Sequence, residues 1–86
     1  MYNDYPTLTT VQLYDFAIAI AKEMSTSFDC GYFQCEERDI KTLVCLVEAL
    51  CEDAEDRWAN EQLTSRYNQK MQAVIWRHVN AAIRAL

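Results

Sequence analysis

Few side chains in this sequence could carry chemistry: one histidine, four cysteines and 13 carboxylates. His78 would need a nucleophile or an orienting carboxylate within hydrogen-bond reach to act as a general base. The stretch that holds it, from Gln62 to Leu86, contains no Asp or Glu. His78 therefore reads as a core or interface histidine. Cys30, Cys35, Cys45 and Cys51 are spaced C-x4-C-x9-C-x5-C, which fits no zinc pattern. MYNDYPTL at the N-terminus has no basic region and no long apolar run after it, so no secretory signal is expected and the thiols read as reduced. A Cys30–Cys35 disulfide around the single glycine, Gly31, is the alternative, and metal ligation is the weaker one. There is no glycine-rich phosphate loop, no H-E-x-x-H and no G-x-S-x-G. The expectation is a protein that is not an enzyme, with no cofactor and no bound metal.

The charges are divided along the chain. Residues 1–61 hold all 13 acids and only four bases, Lys22, Arg38, Lys41 and Arg57, for a balance of −9. Residues 62–86 carry Arg66, Lys70, Arg77 and Arg84 and no acid, for a balance of +4. Two surfaces of opposite sign usually act through association. The overall charge of −5 disfavours binding of the whole molecule to nucleic acid or to anionic lipid.

The elements that must position these charges are helical. One Gly and one Pro in 86 residues leave too few turn residues for an all-β fold. Ten aromatics and 51% hydrophobic residues argue against disorder. Thr9 and Gln12 have capping-box spacing, and Leu8 with Leu13 makes a hydrophobic staple. Leu13, Phe16, Ala17, Ile20 and Met24 then recur with helical period over residues 10–25. Val11, Tyr14, Ile18 and Ala21 form a second apolar row, so this helix is expected to be the central one. A second helix is expected over 36–59, with Ile40, Leu43, Val44, Val47, Leu50, Cys51, Ala54 and Trp58 on one face. Glu37, Glu48, Glu52, Glu55 and Asp56 fall in an opposite sector roughly 100° wide. Extending that helix would bring Glu61 into the core sector, so a break is expected near Asn60–Gln62, with one long kinked helix as the competing reading. The third helix is expected over 62–85, with Leu63, Tyr67, Met71, Val74, Ile75, His78, Val79 and Ala82 on its buried face. Arg66, Lys70, Arg77 and Arg84 lie within roughly 40° of one another on it, as a basic ridge.

The expected architecture is thus all-α, a small three-helix bundle making one domain over 1–86. It has a leader arm at 1–8 and an aromatic and cysteine-bearing loop at 25–35, the latter with room for a short extra helical turn. The longest uncharged apolar run, Phe16 to Ala21, is too short to span a membrane, and a cytoplasmic location is expected. In general character the chain resembles the small, acidic, motif-free helical proteins of phages and mobile elements that bind and block host machinery, anti-CRISPR inhibitors among them. That resemblance implies a non-enzymatic protein-binding inhibitor or regulator with a protein partner. Tyr32, Phe33, Glu48, Glu52, Glu55 and Asp56 are the residues expected to meet that partner, since aromatics dominate interface energetics. Two other readings stay open. One is a nucleic-acid role, through the basic ridge or through acidic charge mimicry. The other is a self-assembling helical protein, for which a homodimer would suit the amphipathic helices.

Overall fold

The computed structural model describes residues 8–27 and 36–85. These residues form four helices and, among them, no strand: α1 (Thr10–Ser27), α2 (Glu37–Glu52), α3 (Arg57–Arg66) and α4 (Gln69–Ala85). The all-α class stands, but the helix count differs from the expected three-helix bundle: α1 runs to Ser27 rather than 25, α2 ends at Glu52 rather than 59, and the expected 62–85 helix is replaced by α3 and α4. Residues 1–7 of the leader arm and 28–35 of the expected loop, with Tyr32, Phe33, Cys30 and Cys35, lie outside the described residues, and 25–27 belong to α1 rather than to the loop.

α1 begins where the local signals place it. The Thr9 N–H donates to Gln12 Oε1 at 2.9 Å, and the Gln12 N–H donates back to Thr9 Oγ1 at 3.1 Å. This reciprocal pair satisfies two amide donors that a helix start leaves unpaired. Leu8 packs against the core and Leu13 is buried in it. α2 starts with the Glu36 N–H on Asp39 Oδ2 at 3.3 Å, and Glu37 and Asp39 in its first turn suit the positive helix end.

The expected helix over 36–59 stops at Glu52, because its own acids compete for the backbone. Asp53 leaves helical geometry at φ −154°, ψ 106°. Its carboxylate accepts the Glu55 N–H at 2.9 Å, and its carbonyl accepts the Asp56 N–H at 3.0 Å. Asp56 then caps α3 by accepting the Ala59 N–H at 2.9 Å. Asn60 ties the corner shut from inside α3, its Nδ2 donating to the carbonyls of Ala54 at 3.2 Å and Asp56 at 2.8 Å. Short Asp side chains that hydrogen-bond nearby amides favour turns and caps over helix interiors. The break expected near Asn60–Gln62 is therefore displaced to 53–56, and those three residues lie inside α3.

A second break divides the expected 62–85 helix. Tyr67 is extended, and Asn68 caps α4 by accepting the Met71 N–H on Oδ1 at 2.9 Å. The Gln72 side chain donates to the Tyr67 carbonyl at 2.7 Å. Leu63, Tyr67 and Met71 are all buried across this break, so the apolar stripe continues while the helix does not.

The core is one cluster fed by all four helices. Ile20, Leu43, Val47, Ile75 and Val79, each central in its stripe, are 0% exposed. α2 and α4 each pack against every other helix, whereas α1 touches only α2 and α4. Val11, assigned to the second apolar row of α1, is 70% exposed. The corner at 53–56 also shifts the helical phase of the residues after it. Ala54 and Trp58, assigned to the α2 stripe, are exposed, Trp58 by 47%, and Ala59 and Leu63 are buried instead.

Candidate functional site

The acidic corner is built by the turn that ends α2. Five acids and no base lie between Lys41 and Arg57: Glu48, Glu52, Asp53, Glu55 and Asp56. Glu48, Glu52, Asp53 and Glu55 are exposed, while Asp56 is half-buried. Two of the five are engaged by backbone amides. The Asp56 carboxylate is committed to the first turn of α3, and the Asp53 carboxylate to the Glu55 amide. Among the described residues, Glu48, Glu52 and Glu55 make no side-chain hydrogen bond or ion pair. Of the expected partner-binding set, these three are exposed and make no such contact among the described residues. Asp56 belongs to the scaffold instead. α2 has no basic residue in its last turn, so Glu52 adds to the negative potential of that helix end rather than opposing it. Arg57 is exposed beside the acids. A shallow, open depression lies on this corner, lined by Ala54, Glu55, Arg57, Asn60, Glu61 and Thr64. Trp58, in the first turn of α3, supplies exposed aromatic surface next to it in sequence.

The expected basic ridge is divided in two. Arg66 closes α3, where its charge suits the negative helix end, and its Nε donates to Gln62 Oε1. Lys70, Arg77 and Arg84 remain together on α4, exposed and two turns apart. Of these three, Arg77 forms an ion pair with Glu23 of α1.

Glu23 is the functional-looking residue that the sequence alone does not reveal. It sits on what reads as the wet face of α1, 54 residues before Arg77. The packing of α1 against α4 brings its second carboxylate oxygen to 3.0 Å from His78 Nε2. His78, on the buried stripe by period, is half-buried in the structure. Burial first, and the Arg77 guanidinium second, hold its pKa below the ordinary 6.5. A neutral imidazole with the proton on Nε2 then donates to Glu23. The arrangement is an imidazole oriented by a carboxylate, with a guanidinium on the other oxygen. A general base also needs a substrate proton within reach, and among the described residues the hydrogen-bond partner of the ring is Glu23.

Cysteine chemistry is muted where it can be seen. Cys45 and Cys51 are free thiols. Cys51 is half-buried rather than fully buried. Burial first and the Glu52 carboxylate second push its thiol pKa up, which keeps it protonated and a poor nucleophile. Among the described residues no group of three or more His, Cys, Asp and Glu side chains could hold a metal ion. No helix among them is long and apolar enough to cross a membrane. A scan against protein-family models, a search of curated proteins and a search of solved structures found no match to this chain.

Proposed function

We propose that this chain is a non-enzymatic protein-binding module, an inhibitor or regulator of the phage anti-defence kind, which docks a basic protein partner on the α2–α3 corner. The observation that carries this reading is the state of the corner's carboxylates. Glu48, Glu52 and Glu55 are exposed and uncommitted among the described residues, on a turn fixed by the Asp53, Asp56 and Asn60 hydrogen bonds. A fixed acidic surface followed in sequence by the exposed Trp58 suits a partner that is steered by charge and anchored by apolar contact.

The test is affinity capture with the tagged chain, run beside a Glu48→Lys/Glu52→Lys/Glu55→Lys variant and Trp58→Ala. The reading expects one protein retained by the wild type and lost by both variants, while their circular dichroism stays helical. Charge reversal should mainly slow association, and loss of Trp58 should mainly speed dissociation. Equal capture by all three chains would remove the corner as the interface.

A second reading rests on α4, which carries Lys70, Arg77 and Arg84 and no acid. Bound to duplex DNA through that face, the chain would shift a labelled duplex with a log–log salt slope of about −0.9 per phosphate neutralised. No shift is expected at physiological salt, because the acids of residues 1–61 repel the same polymer.

A further inference from the structure

The two charged surfaces complement each other, yet the fold keeps them apart. α2 and α4 pack through apolar faces, with Leu43, Leu46, Val47 and Leu50 on one and Met71, Val74, Ile75 and Val79 on the other. Their charged sides consequently point to solvent. The ion pairs among the described residues are Glu36–Arg38, Glu23–Arg77 and Glu23–His78. None joins α4 to the α2–α3 corner, so the acids of the second helix do not answer the bases of α4 within one molecule.

Each surface also has an exposed apolar group. Trp58, in the first turn of α3 that follows the acidic corner, is 47% exposed. On α4, Ile83 is 40% exposed and Trp76 half-buried. These two are seven residues apart, so they share one side of the helix. Each directly precedes an arginine, Trp76 before Arg77 and Ile83 before Arg84.

We infer that the occupant of the α4 face is a second copy of this chain, seated so that Lys70 and Arg84 meet Glu48, Glu52 and Glu55 of its neighbour, with Ile83 packing toward Trp58. The self-complement is favoured over a foreign partner for this face because every molecule that carries the basic surface also carries its match. The contact joins two different patches, so it is heterologous unless two copies exchange it reciprocally. The self-contact uses the same acidic corner as the protein-binding reading, so the two compete for it: self-association of the chain alone tests this inference, and capture of a foreign protein tests that reading.

The experiment is sedimentation equilibrium on the full chain and on two reversal variants, Lys70→Glu/Arg84→Glu and Glu48→Lys/Glu52→Lys. All substituted positions are exposed, and circular dichroism checks that each variant is folded. Single reversals, Arg84→Glu and Glu52→Lys, replace any double variant that unfolds. The wild type should sediment above its 10.0 kDa chain mass at low salt. It should fall to that mass in 1 M salt, where the screening length is about 3 Å. Each variant alone should be monomeric, because one half of every contact has been reversed. An equimolar mixture of the two should form a 1:1 complex, because the first keeps the acidic corner and the second keeps the basic face. Combining all four reversals in one chain should restore self-association. A wild type that stays monomeric at low salt would overturn the inference. So would association that survives in either variant alone, or a failure of the mixed folded variants to pair.

Discussion

The α2–α3 corner and the α1–α4 contact use the same side chain in opposite ways. At the corner, Asp53 and Asp56 direct their carboxylates to backbone amides two and three residues away, and Glu48, Glu52 and Glu55 are left to solvent. At the α1–α4 contact, Glu23 reaches across the molecule and is held by Arg77 and His78. The corner is a local structure whose surplus charge faces outward. The other is a long-range contact whose charge is consumed within the fold. A carboxylate's availability to a partner therefore depends on what its own chain has already asked of it, and the density of acids in the sequence is a poor guide to that.

The largest effects should come from the core beneath both regions. Leu43→Ala or Ile75→Ala should each cost about 2–5 kcal/mol in urea denaturation. Either change should weaken the corner and the α1–α4 contact alike, since both rest on the same buried cluster. Loss of one region's integrity without the other would show that the cluster is not shared.

The corner separates its own acids at the next level down. Asp56→Ala removes a helix cap and should cost about 1 kcal/mol, whereas Asp56→Asn, which can still cap, should cost much less. Glu55→Ala, by contrast, should leave the denaturation midpoint nearly unchanged. Equal costs for Asp56→Ala and Glu55→Ala would erase the distinction between structural and free carboxylates.

Smaller still is the pH dependence of the α1–α4 contact. His78 titrates below its ordinary value in the fold. The unfolded chain therefore takes up this proton first as pH falls. Stability contributed by neutral His78 should decline as pH drops below about 6.5 and level off beneath the folded value. Thermal melts at pH 7.5 and 5.5, compared with those of His78→Gln, isolate this contribution. A wild type that gains stability over the variant on acidification would mean that the Glu23 charge outweighs burial and Arg77.

How much of this was legible in the sequence depends on range. The α1 start was readable because Thr9, Gln12, Leu8 and Leu13 lie within six residues and act on one another. The core was readable because helical period alone brings Ile20, Val47 and Ile75 onto apolar stripes. The corner is hidden in the sequence because Glu55 and Asp56 keep the acidic period of α2 and Ala54 keeps its apolar one, so residues that cap and turn look like one more turn of helix. That error carried forward to Trp58, which would have been buried had α2 continued. The Tyr67–Asn68 break escaped notice because Leu63, Tyr67 and Met71 keep the apolar period through it. Glu23 with His78 was not readable by any local rule, since 55 residues separate them and only the crossing of α1 and α4 joins them.

The most direct test of the central claim, that the uncommitted carboxylates of the corner form the partner surface, is amide chemical-shift mapping. The captured partner would be titrated into the isotope-labelled chain. The account predicts shifts concentrated from Glu48 to Glu61, with the Glu23, Arg77 and His78 amides unmoved. Shifts confined to Lys70–Arg84, with the corner silent, would contradict it.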